Sequence, residues 1–500
     1  MGVEYLMSVA WSFDLDTDDD LQFATDVSAY VQEMNCERVI PDGARVAAPG
    51  RMVVVLDNSS NKFSPEAVGA YGVDPGRWFR VQATYSMTTY SVFTGIISSI
   101  RQLRYSSVEL VVVGRLAFFD QVLPLPLFTD FTVDEVLDRL VRRGVVRDAL
   151  YSTTGYVYAY VGAEVGNCVV APDSLSMISF DTGVTTLAYY GDVYDRLRTG
   201  RQVFEELVTA EFGYFVESGD GTLTFENRDY GVLNYTSGYS YDGSGEEKFD
   251  YAYGSGIVNR VETRTVGRYT DTTTLWTSEV DVTIDPGVSE KIFRFLGSDA
   301  RVVGVSGDLS FSGWQFVDSR GRALTSVSFT YEVLATGVRV KFDNQSAQNA
   351  YLPSTASITG TGIFQASPEE VVVEDLGSER LYGVFPVQIE STCFPDSSDV
   401  VNLARYMIGG LGFPAGFVQA IQMRSAPAGQ FGADLLDLVT VTDSANSHSA
   451  QYRVRGVRHS LVAGVHETEL LLARYLDGVY ALVGVAGRDE VGSDTALVGY

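Results

Sequence analysis

The chain has 500 residues and a mass of 54.5 kDa, with hydrophobic residues at 45% and aromatics at 12%, among them 29 Tyr and 27 Phe. That composition excludes a disordered polymer, and the length calls for roughly three or four cores at ~150 residues each. With 64 acidic against 36 basic residues, the formal charge of -28 leaves too few clustered cations for direct nucleic-acid binding; it reads first as ordinary solubility, and second as an acidic wall that lets DNA slide past without sticking.

The N-terminus, Met1 to Met7, has no basic flank before its apolar residues, and no later stretch reaches the ~20 apolar residues of a membrane span. A soluble chain without an export signal is expected, and Leu6 stands where a myristoylation motif wants Ser or Thr. The run Asp14, Asp16, Asp18, Asp19 and Asp20 has the look of a calcium loop, but Asp19 and Thr25 occupy the places of its Gly and Glu, so it reads as a solvated acidic turn. Arg51–Asp57 is a β-branched strand that ends in the polar turn Asn58–Asn61. Strands at 79–85, 90–97 and 108–113 follow at meander spacing, so the first ~118 residues read as all-β.

Thr132 and Glu135 form a capping box, and Val136, Leu137, Leu140 and Val141 give a helical stripe that Gly144 would stop. A second box, Thr199 and Gln202, opens a helix striped by Val203, Phe204, Leu207 and Val208 that ends at Gly213. Residues 214–216 and 222–225 then flank Glu217–Gly221 as a hairpin. Residues 234–249, rich in Gly, Ser, Tyr and Asp, read as a surface loop or domain boundary. Alternation with Gly-rich breaks between Val302 and Phe364 predicts an inserted small sandwich. A last helix over 398–408 is capped by Ser397 or Ser398 and stopped by Gly409-Gly410; strands at 438–442, 452–460 and 465–474 follow.

Sites for chemistry are sparse. None of Lys62, Lys248, Lys291 and Lys341 follows a Gly, which excludes a Gly-Lys-Ser/Thr phosphate loop. The histidines, His448, His459 and His466, lack His-Glu-x-x-His spacing, and there is no Gly-x-Ser-x-Gly elbow. Cys36, Cys168 and Cys393 are too few and too scattered for a disulfide framework or a Cys-based zinc site. If residues 461–464 form a turn, His459 and His466 face each other across a hairpin, and two imidazoles can clamp a metal. Further ligands are not identifiable, so the pair reads as packed; no catalytic residue, cofactor site or metal site is assigned.

Several segments resemble the tail-tip hub and minor tail proteins of bacteriophages. The opening match is Leu56-Asp57-Asn58, then Phe63-Ser64-Pro65, then Phe93-Thr94-Gly95. The most specific is Ala210-Glu211-Phe212-Gly213 followed by Asp220-Gly221 and Phe225 to Arg228. Further on come Ile257 to Val261 with Asn259, Asp375 to Ser378 with Tyr382-Gly383, and the closing run Tyr452 to Ser460, which holds Gly456 and His459. The matches keep the family's order over about four-fifths of the chain.

The resemblance implies a mainly β chain with a few helices (α+β), in which two tail-tube-like β-barrel domains carry inserted α/β and β-sandwich domains. The expected divisions are an N-terminal barrel at 1–118, an α/β insert at 119–198, a helix-hairpin return and linker at 199–250, the second barrel at 251–300 and 371–475, a sandwich insert at 301–370 and an extension at 476–500. It further implies a non-enzymatic virion protein, a homotrimer that continues the tail tube as a pseudo-sixfold ring, caps it and gates DNA ejection. Its implied partners are the tail tube or distal tail protein, the tape measure protein, and tail fibre or receptor-binding proteins, with genomic DNA passing unbound. The family's motif positions are then structural. Two other readings are an adhesin that binds host carbohydrate or receptor through aromatics such as Trp314 and Tyr331, and a glycosidase built on scattered carboxylates.

Overall fold

The computed structural model describes residues 9–15, 23, 25–64, 73–104, 106–121, 128–151, 178–190, 198–228, 238–243, 248–253, 256–295, 302–334, 337–391, 397–412, 416–424, 427–444 and 446–474. The fold is mainly β with a few helices. The extension at 476–500, Cys168, Cys393, Pro65 and the acidic run from Asp16 to Asp20 lie outside the described residues.

One 13-stranded sheet forms the centre. Its main path runs from Lys248–Tyr253 through Gly416–Met423, Val465–Arg474, His448–Val462, Val31–Val39, Arg51–Asp57, Ser107–Val113, Thr88–Arg104, Trp78–Tyr85 and Val9–Leu15 to Thr25–Asp26. Leu438–Asp443 pairs with the first half of His448–Val462, whose second half pairs with Val31–Val39. Where two barrel domains were expected, the strands of both chain ends therefore share one sheet, and among the described residues its order is open rather than closed.

Period-2 alternation explains what each strand buries. Arg51–Asp57 sends Met52, Val54 and Leu56 inward and leaves Arg51, Val53 and Val55 on the other face. The inward side chains of the N-terminal strands make one core with Phe13, Met34, Phe79, Phe93 and Leu110. A second core joins the C-terminal strands to three helices, Val133–Tyr151, Gly200–Glu211 and Ser397–Leu411. A third, rich in aromatic pairs, lies between the strands of an insert. It reaches back to Leu275 and Ile284, and its sheets include Arg268–Thr277 and Gly287–Arg294. The insert thus starts well before residue 301.

Helix starts follow their caps better than helix stops follow glycine. Thr199 and Gln202 make the full reciprocal capping box, and the Thr132 amide donates to Glu135 at 3.0 Å. Gly144 does not stop its helix, which continues to Tyr151, and Gly409-Gly410 lie within Ser397–Leu411. An interior glycine costs only about 1 kcal/mol against alanine, too little to end a helix whose apolar face is packed. At Gly213 the left-handed residue is Phe212, at φ 58°. The Tyr-rich segment read as a loop contributes two strands to the central sheet, Tyr239–Tyr241 and Lys248–Tyr253, with Tyr241 buried and donating to the Gly429 carbonyl at 3.0 Å.

Gly213 is required for space: a Cβ there would lie 2.2 Å from the Glu226 carbonyl oxygen. Gly213→Ala should lower stability by about 1–3 kcal/mol, the usual range for overpacking, read as a lower urea midpoint with an unchanged slope.

Candidate functional site

The face of the central sheet away from the cores is polar, and its register builds a row across six strands. Cα pairings run Arg51–Glu37, Glu37–Arg458, Arg458–Glu469, Glu469–Gln422 and Gln422–Lys248. The side chains close the row: Arg458 binds Glu37 at 2.7 Å and Glu469 at 2.8 Å, and Gln422 donates to Glu469 at 3.1 Å. A parallel row pairs Val53, Asn35, Ser460 and Glu467, with Ser460 donating to Asn35 at 2.9 Å and Arg424 bound to Glu467 at 2.6 Å. Together they line a shallow trough of about 520 Å³. Four cations, Arg51, Lys248, Arg424 and Arg458, stand there with three carboxylates, Glu37, Glu467 and Glu469, so the trough is close to charge balance although the chain as a whole is acidic.

Behind the sheet, the helix-hairpin segment holds three carboxylates, each accepting from two successive backbone amides of a distant loop. Glu205 accepts from Arg45 at 2.9 Å and Val46 at 3.1 Å. Glu211 accepts from Val184 at 2.9 Å and Thr185 at 2.8 Å. Glu217 accepts from Arg115 at 2.7 Å and Leu116 at 3.2 Å. The hairpin also meets the C-terminal strands: Asp434 accepts from the Gly219 amide at 2.9 Å and pairs with buried Arg38, and Arg453 pairs with Glu226. Burial pushes the Glu217 carboxyl up to about 7 against the pull of its two amides, Arg115 and Arg38. Burial likewise raises Glu226 to about 7, opposed by Arg453.

The sequence-selected residues occupy turns, staples and close approaches. Asp57 accepts from the Ser59 amide at 2.9 Å; buried Asn58 accepts from the Phe63 amide at 2.9 Å and donates to Ser64 at 3.0 Å; Phe63 lies edge-on to Tyr30. Phe93 is in the N-terminal core, and a Cβ on Gly95 would meet the Val113 carbonyl oxygen at 2.5 Å. Arg228 stands 3.6 Å from Glu211. Asp220 accepts from the Thr222 amide at 2.9 Å, Gly221 has φ 85°, and Phe225 is buried. Asn259, fully buried, holds the segment after Asp375 from inside: it accepts from the Phe385 amide at 2.8 Å and donates to the Gly383 carbonyl at 2.7 Å and Ser378 at 3.1 Å. Tyr382 is exposed beside it, and Gly456 sits at a bulge where a Cβ would press on Leu471.

His459 and His466 come together by a different register from the one expected. Val462 pairs with Val465 across a two-residue turn, so His459 opposes Thr468 and meets His466 diagonally. His459 Nδ1 is 3.2 Å from His466 Nε2 and 3.1 Å from Thr468 Oγ1, under the ring of Phe431. Burial holds His466 down to about 4 and His459 well below its ordinary value, so both are neutral at pH 7. No three His, Cys, Asp or Glu side chains among the described residues converge on a common point. Cys36, buried opposite His459, has its thiol pushed up to about 12 by burial. Trp314 is half-buried and donates to the Ser357 carbonyl at 3.2 Å, whereas Tyr331 is exposed at the rim beside Phe311.

The cross-strand row escaped sequence reading, although the alternation of Glu467 and Glu469 marks a polar face on one of its strands. The partners of Glu205 and Glu217 lie more than 100 residues away and leave no local signal.

No family model matches the sequence, and no curated protein matches it. Among solved structures, the fold is similar to a tail protein from Neisseria meningitidis MC58, at 10% identity and a TM-score of 0.49 over 94% of this chain and 99% of that one. It is similar to the 43 kDa tail protein of prophage MuSo2 from Shewanella oneidensis, at 9% identity and a TM-score of 0.48 over 93% and 98%. A type VI secretion component of E. coli, itself described as similar to T4 bacteriophage tail proteins, gives 8% identity and a TM-score of 0.38 over 89% and 74%. No helix among the described residues is long and apolar enough to cross a membrane.

Glu226 and Glu217 hold protons in the folded chain up to about pH 7 and release them near 4.5 when unfolded. Below pH 4.5 the two states are protonated alike, and between 4.5 and 7 only the folded state keeps the proton, so this contribution to stability is lost as pH rises through that window. The urea midpoint of the natural chain should fall between pH 4.5 and 7 more steeply than that of Glu226→Gln. Equal slopes would remove the assignment for Glu226.

Proposed function

We propose that this is a non-enzymatic structural protein of a bacteriophage tail tip, a trimeric hub that caps the tail tube, anchors fibre or receptor-binding proteins and gates DNA ejection. The observation that carries the reading is the polar row on the central sheet. Strands from both ends of the chain supply it, so one subunit presents an unbroken wall rather than a pocket. Three such walls, edge to edge, would complete two barrel-like halves per subunit into a ring whose lumen is polar, and would cover the open edges of the sheet. The tape measure protein and then DNA would pass along that lumen, with the tail tube or distal tail protein stacked on one rim. The protein would be assembled in the host cytoplasm and reside in the virion. The sequence matches at Asp57-Asn58, Glu211 to Arg228, Asn259 and Tyr382-Gly383 support the same reading, since those residues build turns and staples rather than a reactive centre.

Solution mass and particle images of the purified chain test this directly. A threefold ring with a central channel is expected; a monomer that forms no rings, alone or with tail-tube protein, would count against the hub.

One observation favours an adhesin as a second reading: Tyr331 is 42% exposed, with Phe311 at 4.7 Å beneath it. Aromatic faces of this kind stack on sugars. The full chain should then bind host cell-wall carbohydrate and lose most of that binding as Tyr331→Ala; absence of binding by the natural chain removes this reading.

A further inference from the structure

The strands Glu369–Glu374 and Pro386–Ser391 flank Arg260–Thr265 in a small sheet with one covered face. Val261, Val373, Val387 and Ile389 on that face pack with the helix Ser397–Leu411 in the second core. Alternation sends the intervening side chains to the opposite face. Register there aligns Glu374, Arg260 and Pro386, then Val372, Glu262 and Gln388, then Glu370, Arg264 and Glu390, all exposed or half-buried.

At the Arg260 end of this open face, the helix Leu376–Tyr382 and the turn after it add bare apolar side chains. Leu376 is 53% exposed, Leu381 70%, Val384 54% and Phe385 42%. Single exposed apolar residues are ordinary, whereas a group of them rimmed by polar side chains marks an interaction site. The tip is held from within. Asp375 caps the helix by accepting from Gly377 at 2.9 Å and Ser378 at 3.0 Å. Buried Asn259 fixes the Gly383 carbonyl and the Phe385 amide, and buried Ser378 donates to the Gly412 carbonyl. Little ordering entropy of the backbone therefore remains to be lost on docking.

Charge selects the occupant. Glu262, Glu370, Glu374, Asp375, Glu379 and Glu390 stand on and beside the face with Arg260, Arg264 and Arg380, so carboxylates outnumber cations two to one. Arg260 is shared among Glu262 at 3.0 Å, Glu374 at 3.4 Å and Glu379 at 4.0 Å. Arg264 reaches Glu390 only at 3.6 Å and Glu370 only at 4.0 Å, and those two carboxylate side chains are 74% and 76% exposed. Loose, exposed pairs of this kind contribute little, so a cation brought by a partner takes up these carboxylates at small loss. The same surplus repels nucleic acid and anionic lipid. A second copy, with 64 acidic against 36 basic residues, has no basic surplus to offer. We propose that the tip and the open face beside it dock a different protein, through a segment whose apolar side chains cover Leu381, Val384 and Phe385 and whose lysines or arginines reach Glu370 and Glu390. The rows of Arg260 and Arg264 are ~13 Å apart at ~3.3 Å rise per residue, within reach of one short amphipathic segment. A single chain carries the whole site, so the contact does not depend on the hub reading.

Synthetic peptides probe the full-length chain in about 0.15 M salt, where the Debye length is ~8 Å and distant charges are screened. They are an amphipathic Leu/Lys helix, its Leu/Glu counterpart and a Ser/Lys peptide of the same charge. Expected is saturable binding of the Leu/Lys peptide, none of the Leu/Glu peptide, and binding of the Ser/Lys peptide weaker by roughly tenfold or more. Leu381→Ser with Phe385→Ser, and Glu370→Gln with Glu390→Gln, should each weaken the Leu/Lys complex by a similar factor. Circular dichroism and the urea midpoint should stay unchanged, since all these side chains are exposed. Val288→Ser with Ile292→Ser, an exposed apolar pair on the strand Gly287–Arg294, should bind as the natural chain does. A natural chain that leaves the Leu/Lys peptide unbound overturns the proposal. So does binding that either of the first two double variants leaves unchanged, because that is the general attraction of a cationic peptide to a chain of charge -28. Neither result bears on the ring, whose test is the solution mass.

Discussion

Three carboxylates spaced six residues apart hold the chain together. Glu205, Glu211 and Glu217 lie on one helix and the strand that follows it, and each receives two neighbouring backbone amides from elsewhere. The loops they hold, at 45–46, 184–185 and 115–116, belong to the N-terminal strands on two sides and to the segment after Ile178–Phe180 on the third. A loop that turns inside a protein leaves its amides without partners, at about 1–3 kcal/mol for each buried donor left unmade. One carboxylate with two lone-pair-bearing oxygens answers two such donors at once. The segment from Thr199 to Arg228 is therefore the part around which the others are placed, and the crowding of Gly114 against Glu217 and of Gly213 against Glu226 shows how closely they are drawn in.

The same segment ties the two ends of the chain to each other. Arg38 on an early strand and Asp434 on a late loop meet at the hairpin turn, and Arg453 reaches Glu226 on its second strand. These contacts fix the height at which Val31–Val39 lies against His448–Val462. A slip of one residue would turn every side chain to the opposite face. Arg458 would then point into the core, and His459 would be stranded on the surface without Thr468 and Phe431. The buried, neutral histidine pair and the exposed row of charges are two faces of a single register.

How much of this the sequence reveals depends on how local the cause is. The strand Arg51–Asp57, the strand Val465–Arg474 and the capping box at Thr199 are fixed by alternation or by contacts three residues apart, and each is legible at its observed bounds. Stops at Gly144 and Gly409 are misread because a glycine's cost is outweighed by packing of the rest of the helix. Tyr239–Tyr241 has no hydrophobic period of its own; it becomes a strand because Leu438–Asp443 offers it a parallel partner nearly two hundred residues later. The insert's true start is hidden for a related reason, since Arg268–Thr277 is mostly exposed and finds its place only by pairing with Ser357–Gln365. In the candidate site, the residue types were visible but not their row, which exists only when six strands come into register.

The charge balance of that row bears on how a wall can face DNA. Affinity for DNA phosphate comes from protein cations that take the place of the mobile cations condensed on the DNA. On this face Arg458 and Arg424 are already bound to Glu37, Glu469 and Glu467, fixed to neighbouring strands at hydrogen-bonding distance. A phosphate approaching Arg458 would have to displace two carboxylates and bring its own charge beside theirs. Such a surface offers polymers of either sign little to hold, and it does so without the uniform negative field that would repel DNA from the entrance. Under the hub reading, the excess negative charge of the chain is then not needed around Arg458 and Arg424: cations already held by neighbouring carboxylates would give passage with less adhesion.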